Sequence, residues 1–225
     1  ITFLDSDDVL PENALSELWT IALRHNTRIA AGIVTSCQEG GKNQKINQSY
    51  YHYSKAPEVI NAEHWPHVFY DPSCVGKLYK RSFLLENELF FPQSFHEDQG
   101  FCFNLFSTNE KIAITSKIVY FYVARQSNQA VSGTQVFSAE KFRQILLAGT
   151  LASETVQHAT LPSAVKDHAK GFLLLRYDRF MWKRSSSQLE LADDPQFINE
   201  FRTLQRLVRS ISDRVFVDNT RYFPL

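Results

Sequence analysis

The sequence predicts an α/β domain followed by a helical extension, and three observations support this fold class. An apolar run at residues 1–4 leads into a cluster of acidic residues and then to Pro11, which is the pattern of a strand followed by a helix. Residues 29–35 are continuously apolar or small, as expected for a second buried strand. After Ser138 the spacing of apolar residues becomes helical. With 225 residues, of which 44% are hydrophobic, the chain is long enough to bury a sizeable core.

The predicted elements alternate between strands and helices in the first 135 residues. The first of them are a strand at 1–4, a helix from Pro11, a strand at 29–35 and a polar loop at 38–49. They are followed by an extended piece at 75–79, a helix from Arg81, an apolar corner at 89–92, a helix bearing Phe101 to Phe106, and strands at 112–115 and 118–123. Beyond residue 135 the predicted elements are helices at 139–158, 163–183 and 195–211. The predicted buried face of the first helix carries Leu15, Leu18, Trp19 and Ala22. In the 139–158 helix, a shared apolar face predicts packing on the sheet domain, and this face comprises Phe142, Ile145, Leu146, Gly149, Ala152 and Val156.

Composition restricts the class of partner. The chain has 24 basic and 24 acidic residues, so no overall field attracts nucleic acid or an anionic membrane. The three cysteines Cys37, Cys74 and Cys102 match neither a disulfide framework nor a zinc spacing, and they are typical of core thiols in a reducing compartment such as the cytoplasm. No apolar run reaches the roughly 18 to 20 residues that span a bilayer.

The acidic cluster after the first predicted strand is the strongest chemical signal. Asp5 and Asp7 offer two oxygen ligands at alternate positions, enough to hold one divalent cation against a diphosphate. Asp8 lies closer to the following helix, and we expect it to cap that helix. A calcium-binding EF-hand is excluded, because Leu10 and Ser16 occupy the positions where that loop needs glycine and glutamate.

Four segments in order resemble one family. Residues 3–11 (FLDSDDVLP) are similar to the DXD segment of inverting family 2 glycosyltransferases of the GT-A fold, in particular bacterial, non-processive ones. Three further parts of the chain resemble later segments of the same family. They are residues 76–84 (GKLYKRSFL), the pair of segments 89–92 (LFFP) and 96–101 (HEDQGF), and residues 122–125 (YVAR). The resemblance covers about residues 1–135 and implies a partial, Rossmann-like GT-A domain for a nucleotide-diphospho-sugar, followed by a helical extension over 136–225. It also implies that the earlier βαβ units of the domain are absent, so we expect an N-terminally truncated sequence.

The family implies roles for individual residues. Asp7 would be the principal ligand of Mn²⁺ or Mg²⁺, and Asp5 would share the metal or contact the ribose. Asp98 would be the general base that deprotonates the acceptor hydroxyl, and its neighbour Glu97 would hold the acceptor or orient the loop. For Glu97 and Asp98 there is an alternative, because acidic residues are common where a helix begins.

Further residues are candidates for substrate contact. Asp8 and His96 lie beside the metal and base segments, and Arg125 could neutralise the departing diphosphate. Lys77 could contact phosphate or acceptor, with a surface cation or an ion-pair partner as the alternative. The aromatic residues Tyr50, Tyr51 and Tyr53 could stack on a sugar ring or pack on their own domain.

The resemblance implies metal-dependent, inverting sugar transfer from a nucleotide sugar, expected to be a UDP-sugar, to a glycan or lipid-linked hydroxyl acceptor in bacterial surface polysaccharide synthesis. We expect a cytoplasmic enzyme, and residues 171–184 could contact the inner face of the membrane or a partner domain, with core packing as the alternative. Processive polymerisation is not supported, since the Q-x-x-R-W signature is absent.

Two other function classes fit part of the sequence. Residues 5–10 also match the opening motif of haloacid dehalogenase-like phosphohydrolases, in which Asp5 would be the nucleophile and Asp7 the acid/base. That class needs a later strand ending in an acidic pair, and Asp193 and Asp194 follow no apolar run. A non-catalytic scaffold is the third alternative.

Overall fold

The computed structural model describes residues 1–38, 42–46, 53–93, 97–124 and 139–173, together with 195, 196, 198, 199 and 202. The helices are α1 (Ala14–Arg24), α2 (Arg81–Glu86), α3 (Glu97–Ser107), α4 (Ala139–His158) and a further helix, α5, described over 163–173, with a short 3-10 helix at Pro66–Tyr70. The strands are β1 (Ile29–Gln38), β2 (Lys42–Ile46), β3 (Val59–Ile60), β4 (Lys77–Tyr79) and β5 (Ile112–Ala124).

In the described part of the chain these strands form one mixed sheet built around β1. On one side β1 pairs in parallel with β5, from Ile29 opposite Ile112 to Gln38 opposite Ala124. On its other side it pairs antiparallel with β4 at its start and with β2 at its end. The short β3 pairs antiparallel with β5 and completes the sheet.

Helices cover both faces of the sheet because successive strand residues point to opposite sides. On one face Ala30, Ala113 and Val119 pack with Leu18 and Ile21 of α1. Neighbouring residues such as Ile29 and Ile112 enter the larger core on the other face. That core includes buried residues of the 3-10 helix, α3, α4 and α5. The result is a three-layer architecture, and it belongs to the α/β class that the sequence predicts.

The prediction for α4 is confirmed in its bounds and in the described part of its buried face; the side chain of Phe142 lies outside the described residues. Ile145, Leu146, Gly149, Ala152 and Val156 are all buried, and α4 packs against α3. The described helix at 163–173 and the helical positions 195, 196, 198, 199 and 202 agree with the other two predicted helices. The predicted boundary near residue 135 lies outside the described residues.

Several predictions are wrong in detail. The buried face of α1 consists of Ala14, Leu18 and Ile21, whereas Leu15 and Trp19 are 46% and 59% exposed. Part of the predicted polar loop at 38–49 is strand β2, which pairs with β1 although its sequence is polar.

The two predicted strands at 112–115 and 118–123 are one strand, β5. Its pairing with β1 shifts register between Ala31 and Ile33, which face Ile114 and Ile118. The break that the sequence suggests is thus an irregularity within a continuous strand.

The three cysteines are free and buried, as predicted. Among the helices that the structure describes, none combines the length and the apolar character needed to cross a membrane.

Candidate active site

The chain reaches the acidic residues through an extended segment beside β4. Ile1 and Tyr79 exchange two main-chain hydrogen bonds, each 2.8 Å long, and the Thr2 hydroxyl donates to the Lys77 carbonyl oxygen over 2.9 Å. The prediction of a buried strand is wrong here, because Ile1 is 46% and Leu4 is 50% exposed and no regular strand is formed. The segment nevertheless delivers Asp5 to the edge of the sheet.

Residues 5–8, which we call the acidic turn, are closed by a hydrogen bond from the Asp8 amide to the Asp5 carbonyl oxygen at 3.1 Å. The side chains of Asp5 and Asp7 are exposed, whereas Asp8 is buried. The turn is therefore open to ligands on the side of Asp5 and Asp7.

Asp8 does not cap α1, so its predicted capping role is wrong. The N-cap of α1 is Asn13, which makes no side-chain capping bond. Asp8 instead accepts hydrogen bonds from the Tyr120 hydroxyl at 2.7 Å and from the Val123 amide at 2.8 Å. Both of its oxygens are thus held by β5, which gives Asp8 an anchoring position rather than an open substrate-binding one.

Asp5 connects the two acidic segments of the sequence electrostatically. Although its side chain is largely exposed, partial desolvation raises the pKa of its carboxyl group, and the charges of Asp8, Asp98, Asp7 and Glu97 raise that pKa further. Asp5 and Asp98 are therefore close enough to repel each other although more than ninety residues separate them in the chain. In the described part of the chain no cation forms an ion pair with Asp5. The five carboxyl groups form one region of concentrated negative charge.

Glu97 and Asp98 occupy the first turn of α3, so they do begin a helix, as the alternative from sequence proposed. Glu97 is exposed and Asp98 is half-buried. Asp98 accepts hydrogen bonds from the Ser73 hydroxyl at 3.2 Å, the Cys74 amide at 3.4 Å and the Cys74 thiol at 3.2 Å. Glu97 and Asp98 therefore begin a helix and also lie in the candidate site. The role of Asp98 as the base stays a prediction.

Lys77 is fully buried and forms an ion pair with the equally buried Asp71. This position favours the ion-pair alternative for Lys77 over contact with substrate. The Tyr53 ring is also buried, and its hydroxyl donates to Asp71 over 2.7 Å, so Tyr53 packs on its own domain. His96, Arg125, Tyr50 and Tyr51 lie outside the described residues.

The residues present suit a divalent cation held together with a diphosphate. Within the described ranges no three His, Cys, Asp or Glu side chains are grouped so that they could hold a metal ion by themselves. Asp5 and Asp7 offer exposed carboxylates in a region of excess negative charge. Hard cations take oxygen ligands, and such a site commonly needs only one or two carboxylates when phosphate oxygens supply further ligands.

Sequence reasoning missed the residues that hold these carboxylates in place. Tyr120 is on β5 and donates to Asp8, while Ser73 and Cys74 contact Asp98 from a loop before β4. Their partners lie between 24 and 112 positions away in the chain. No local motif marks them, so only the folded chain reveals them.

Comparison with known proteins points to the family that the sequence resembles. Residues 1–87 match the family model "Glycosyl transferase family 2". The poly(ribitol-phosphate) beta-N-acetylglucosaminyltransferase TarS of Staphylococcus aureus strain MW2 is 25% identical over 220 residues, covering 96% of this chain and 35% of that protein. TarS of strain Mu50 is 24% identical over the same shares. The chain thus spans about a third of the length of these curated relatives.

Solved structures show the same fold. The crystal structure of S. aureus TarS 1-349 in complex with UDP-GlcNAc superposes with a TM-score of 0.72, at 19% sequence identity, over 95% of this chain and 58% of that one. TarS 1-349 in complex with UDP gives a TM-score of 0.67 at 19% identity, over 95% and 56%. Residues 1–87 are therefore similar to glycosyl transferase family 2, and the chain shares its fold with the TarS structures.

Proposed function

We propose that this protein transfers a sugar from a nucleotide-sugar donor to a hydroxyl group, with inversion at the anomeric carbon and with the help of a divalent cation. The observation that carries the proposal is the convergence of the acidic turn with the start of α3: the ring of Phe3, two residues before the turn, packs edge-on against Phe101 of α3 with centroids 5.7 Å apart, and the charges of Asp98 and Glu97 act on Asp5. A metal-assisted transferase needs a site for the leaving diphosphate and a base within reach of one anomeric carbon. Asp5 with Asp7 and Asp98 with Glu97 supply these two groups of carboxylates.

In the proposed reaction the acceptor oxygen attacks the anomeric carbon while the bond from that carbon to the diphosphate oxygen breaks. Asp98 takes the proton of the acceptor hydroxyl, and the nucleoside diphosphate leaves with the bonding electron pair. Asp5 and Asp7 would hold the cation, whose chemistry is to neutralise the charge that develops on the leaving group. Glu97, exposed beside Asp98, would contact the acceptor.

The relatives suggest the substrates to test first. TarS is named a poly(ribitol-phosphate) beta-N-acetylglucosaminyltransferase, and one of its structures contains UDP-GlcNAc. We therefore propose a UDP-sugar, with UDP-GlcNAc as the first candidate, and a hydroxyl-bearing surface polymer such as poly(ribitol-phosphate). The three free, buried cysteines fit a reducing compartment, so we place this reaction in the cytoplasm.

The experiment uses the full-length protein with UDP-GlcNAc and poly(ribitol-phosphate), with Mn²⁺ or with a chelator. Asp98→Asn should reduce transfer by at least about a hundredfold, because general-base catalysis typically contributes 10²–10⁴-fold. UDP binding, measured by calorimetry, should stay unchanged. Asp167→Asn, on α5, is the matched control and should keep full activity.

Other outcomes would contradict the proposal. If the wild-type protein releases phosphate from phosphomonoesters but transfers no sugar, the phosphohydrolase alternative is correct. If the protein neither binds UDP with Mn²⁺ nor turns over any nucleotide sugar, it is a scaffold.

A further inference from the structure

Beneath the candidate base lies a buried ion pair that the proposed reaction does not use. Asp71 and Lys77 are each completely buried. Desolvation is the largest single influence and lowers the pKa of Lys77, but the charge of Asp71 and its hydrogen bond to the ammonium oppose it; the net pKa is raised and the ammonium stays charged. Burying two charges is costly even when they pair, and such pairs are retained in some proteins because they fix a conformation.

The pair organises the loop that it encloses. The Lys77 ammonium donates to the Ser73 carbonyl oxygen at 2.6 Å and to that of Val75 at 3.4 Å. On the other side, Asp71 accepts a hydrogen bond from the Ser73 amide at 3.4 Å. Residues 71–77, which we call the brace loop, are therefore held from inside by both members of the ion pair.

Two contacts with the surrounding core fix the brace loop further. The Tyr79 hydroxyl donates to the Cys74 carbonyl oxygen over 2.8 Å. Gly76 has a φ of +68°, and a Cβ atom there would lie 2.6 Å from a methyl group of Val34. The conformation of the loop thus depends on a glycine, and the loop packs closely on β1.

The outer side of the brace loop presents three donors to Asp98. The Ser73 hydroxyl and the Cys74 amide reach one carboxylate oxygen, and the Cys74 thiol reaches the other at 3.2 Å. Burial, with the charge of Asp98, raises the pKa of the Cys74 thiol, so this group stays protonated and remains a donor. Both oxygens of Asp98 are therefore oriented from the loop.

We propose that Ser73 and Cys74 are positioning residues for Asp98 and that the buried Asp71–Lys77 pair holds them in place. The inference rests on the proposed function, since it assigns these residues to the base of that reaction. A base must point at the acceptor proton, and displacement by about an ångström can cost on the order of a hundredfold in rate. Donor binding, in contrast, uses the acidic turn and does not need the brace loop.

The test compares Ser73→Ala with the conservative Ser73→Thr in the full-length protein. Ser73→Ala should lower kcat about tenfold while the KM for UDP-GlcNAc and the affinity for UDP stay within about twofold, because only the orientation of the base is lost. Ser73→Thr keeps the hydroxyl and should restore most of kcat. Thr115→Ala is the matched control: it removes a hydroxyl that donates to a carboxylate, Glu17 of α1, on the opposite face of the sheet.

A second variant and a second measurement separate this inference from the proposed function. Lys77→Met should lower kcat at least as much as Ser73→Ala, after correction for the fraction of folded protein. Crystal structures of the wild type and Ser73→Ala should show the Asp98 carboxylate displaced or rotated in the variant, whatever the activity.

An Asp98 carboxylate that keeps its position in the Ser73→Ala crystal would overturn the inference, as would an unchanged kcat. A loss of UDP affinity equal to the loss of kcat would also overturn it. Absence of sugar transfer by the wild type, with Asp98 displaced in the variant, would refute the proposed function and leave the positioning contact established.

Discussion

The Tyr120 hydroxyl donates a buried hydrogen bond of 2.7 Å to Asp8, across 112 positions of the chain. The same hydroxyl accepts a hydrogen bond from the Asp5 amide at 3.2 Å. Burial and the nearby Asp8 raise the pKa of Tyr120, so the hydroxyl keeps its proton and remains a donor. One side chain of β5 therefore contacts both ends of the acidic turn.

Tyr120→Phe should loosen the acidic turn without leaving a cavity. We expect a loss of about 1–3 kcal/mol in the free energy of unfolding, because Asp8 loses a donor to a buried charge. The affinity for UDP with Mn²⁺, measured by calorimetry, should fall as well. Tyr53→Phe is the control, since it removes the same kind of bond from Asp71 and should destabilise the protein without changing UDP affinity. Equal effects of both variants on UDP binding would argue against a role of Tyr120 in the turn.

Asp5→Asn should stabilise the protein in metal-free buffer at neutral pH. Partial desolvation and four neighbouring carboxylates raise the folded-state pKa of Asp5 above its ordinary value of 3.8. The folded state then binds the proton more tightly than the unfolded state, so Asp5 lowers stability as pH rises through this window and above it. The variant should have the higher Tm at pH 7 with EDTA, and its advantage should shrink towards pH 4.

The exposed Glu12→Gln is the control for charge alone and should change Tm little. With Mn²⁺ and UDP the order should reverse, because the wild type keeps its ligand. A lower Tm for Asp5→Asn without metal would contradict the repulsion that we describe.

Lys77→Met should be strongly destabilising. The change leaves Asp71 buried without its cation, and breaking a buried ion pair from one side typically costs about 3–5 kcal/mol. Urea unfolding measures the loss. The double variant Lys77→Met with Asp71→Leu should recover most of it, since an apolar pair of similar volume is often neutral or better. If the double variant is as unstable as the single one, the lysine contributes packing rather than charge compensation.

His67 should make the protein sensitive to mild acid. Its ring packs against Trp65, Tyr70 and His168, and burial lowers its pKa below the ordinary value of 6.5. The unfolded state therefore takes up the proton first, and stability falls as pH drops from about 6.5 through the folded-state pKa. The Tm difference between pH 7 and pH 5 should be smaller in His67→Phe than in the wild type. The exposed His64→Gln should leave that difference unchanged, and an effect as large as that of His67→Phe would contradict the assignment.

Elements with a strong local pattern could be predicted from the sequence. The strand β1 is buried along nearly all its length, so its apolar run has a single interpretation. The apolar face of α4 follows the helical period and packs as expected. The face of α1 could not be predicted in the same way, because Leu15, Trp19 and Leu23 are apolar yet exposed. Strand β2 escaped prediction because its conformation comes from pairing with β1 and not from its own polar residues.

In the candidate site, too, the residues in local motifs could be predicted from the sequence, whereas those that depend on distant partners could not. The carboxylates stand in short motifs, so Asp5, Asp7 and Asp98 could be chosen from sequence, and the structure brings Asp5 and Asp98 near each other. Their supports could not be chosen, because a tyrosine in a strand or a serine in a loop carries no local sign of a distant partner. The complete burial of Lys77 could not be predicted from the sequence either, since lysine side chains are almost always exposed.

The parallel pairing of β1 with β5 also bears on how the chain folds. Ile29 pairs with Ile112, so a long loop must close before this ladder forms, and contacts of such high sequence separation slow folding. The acidic turn is tied to Tyr120 and Val123 of β5, and Val9 beside it pairs with Phe121, although more than a hundred residues separate the turn from this part of β5. During synthesis these early residues must wait for β5 to leave the ribosome before they reach their final arrangement. Ligand binding should consequently mature late, after most of this domain has been made.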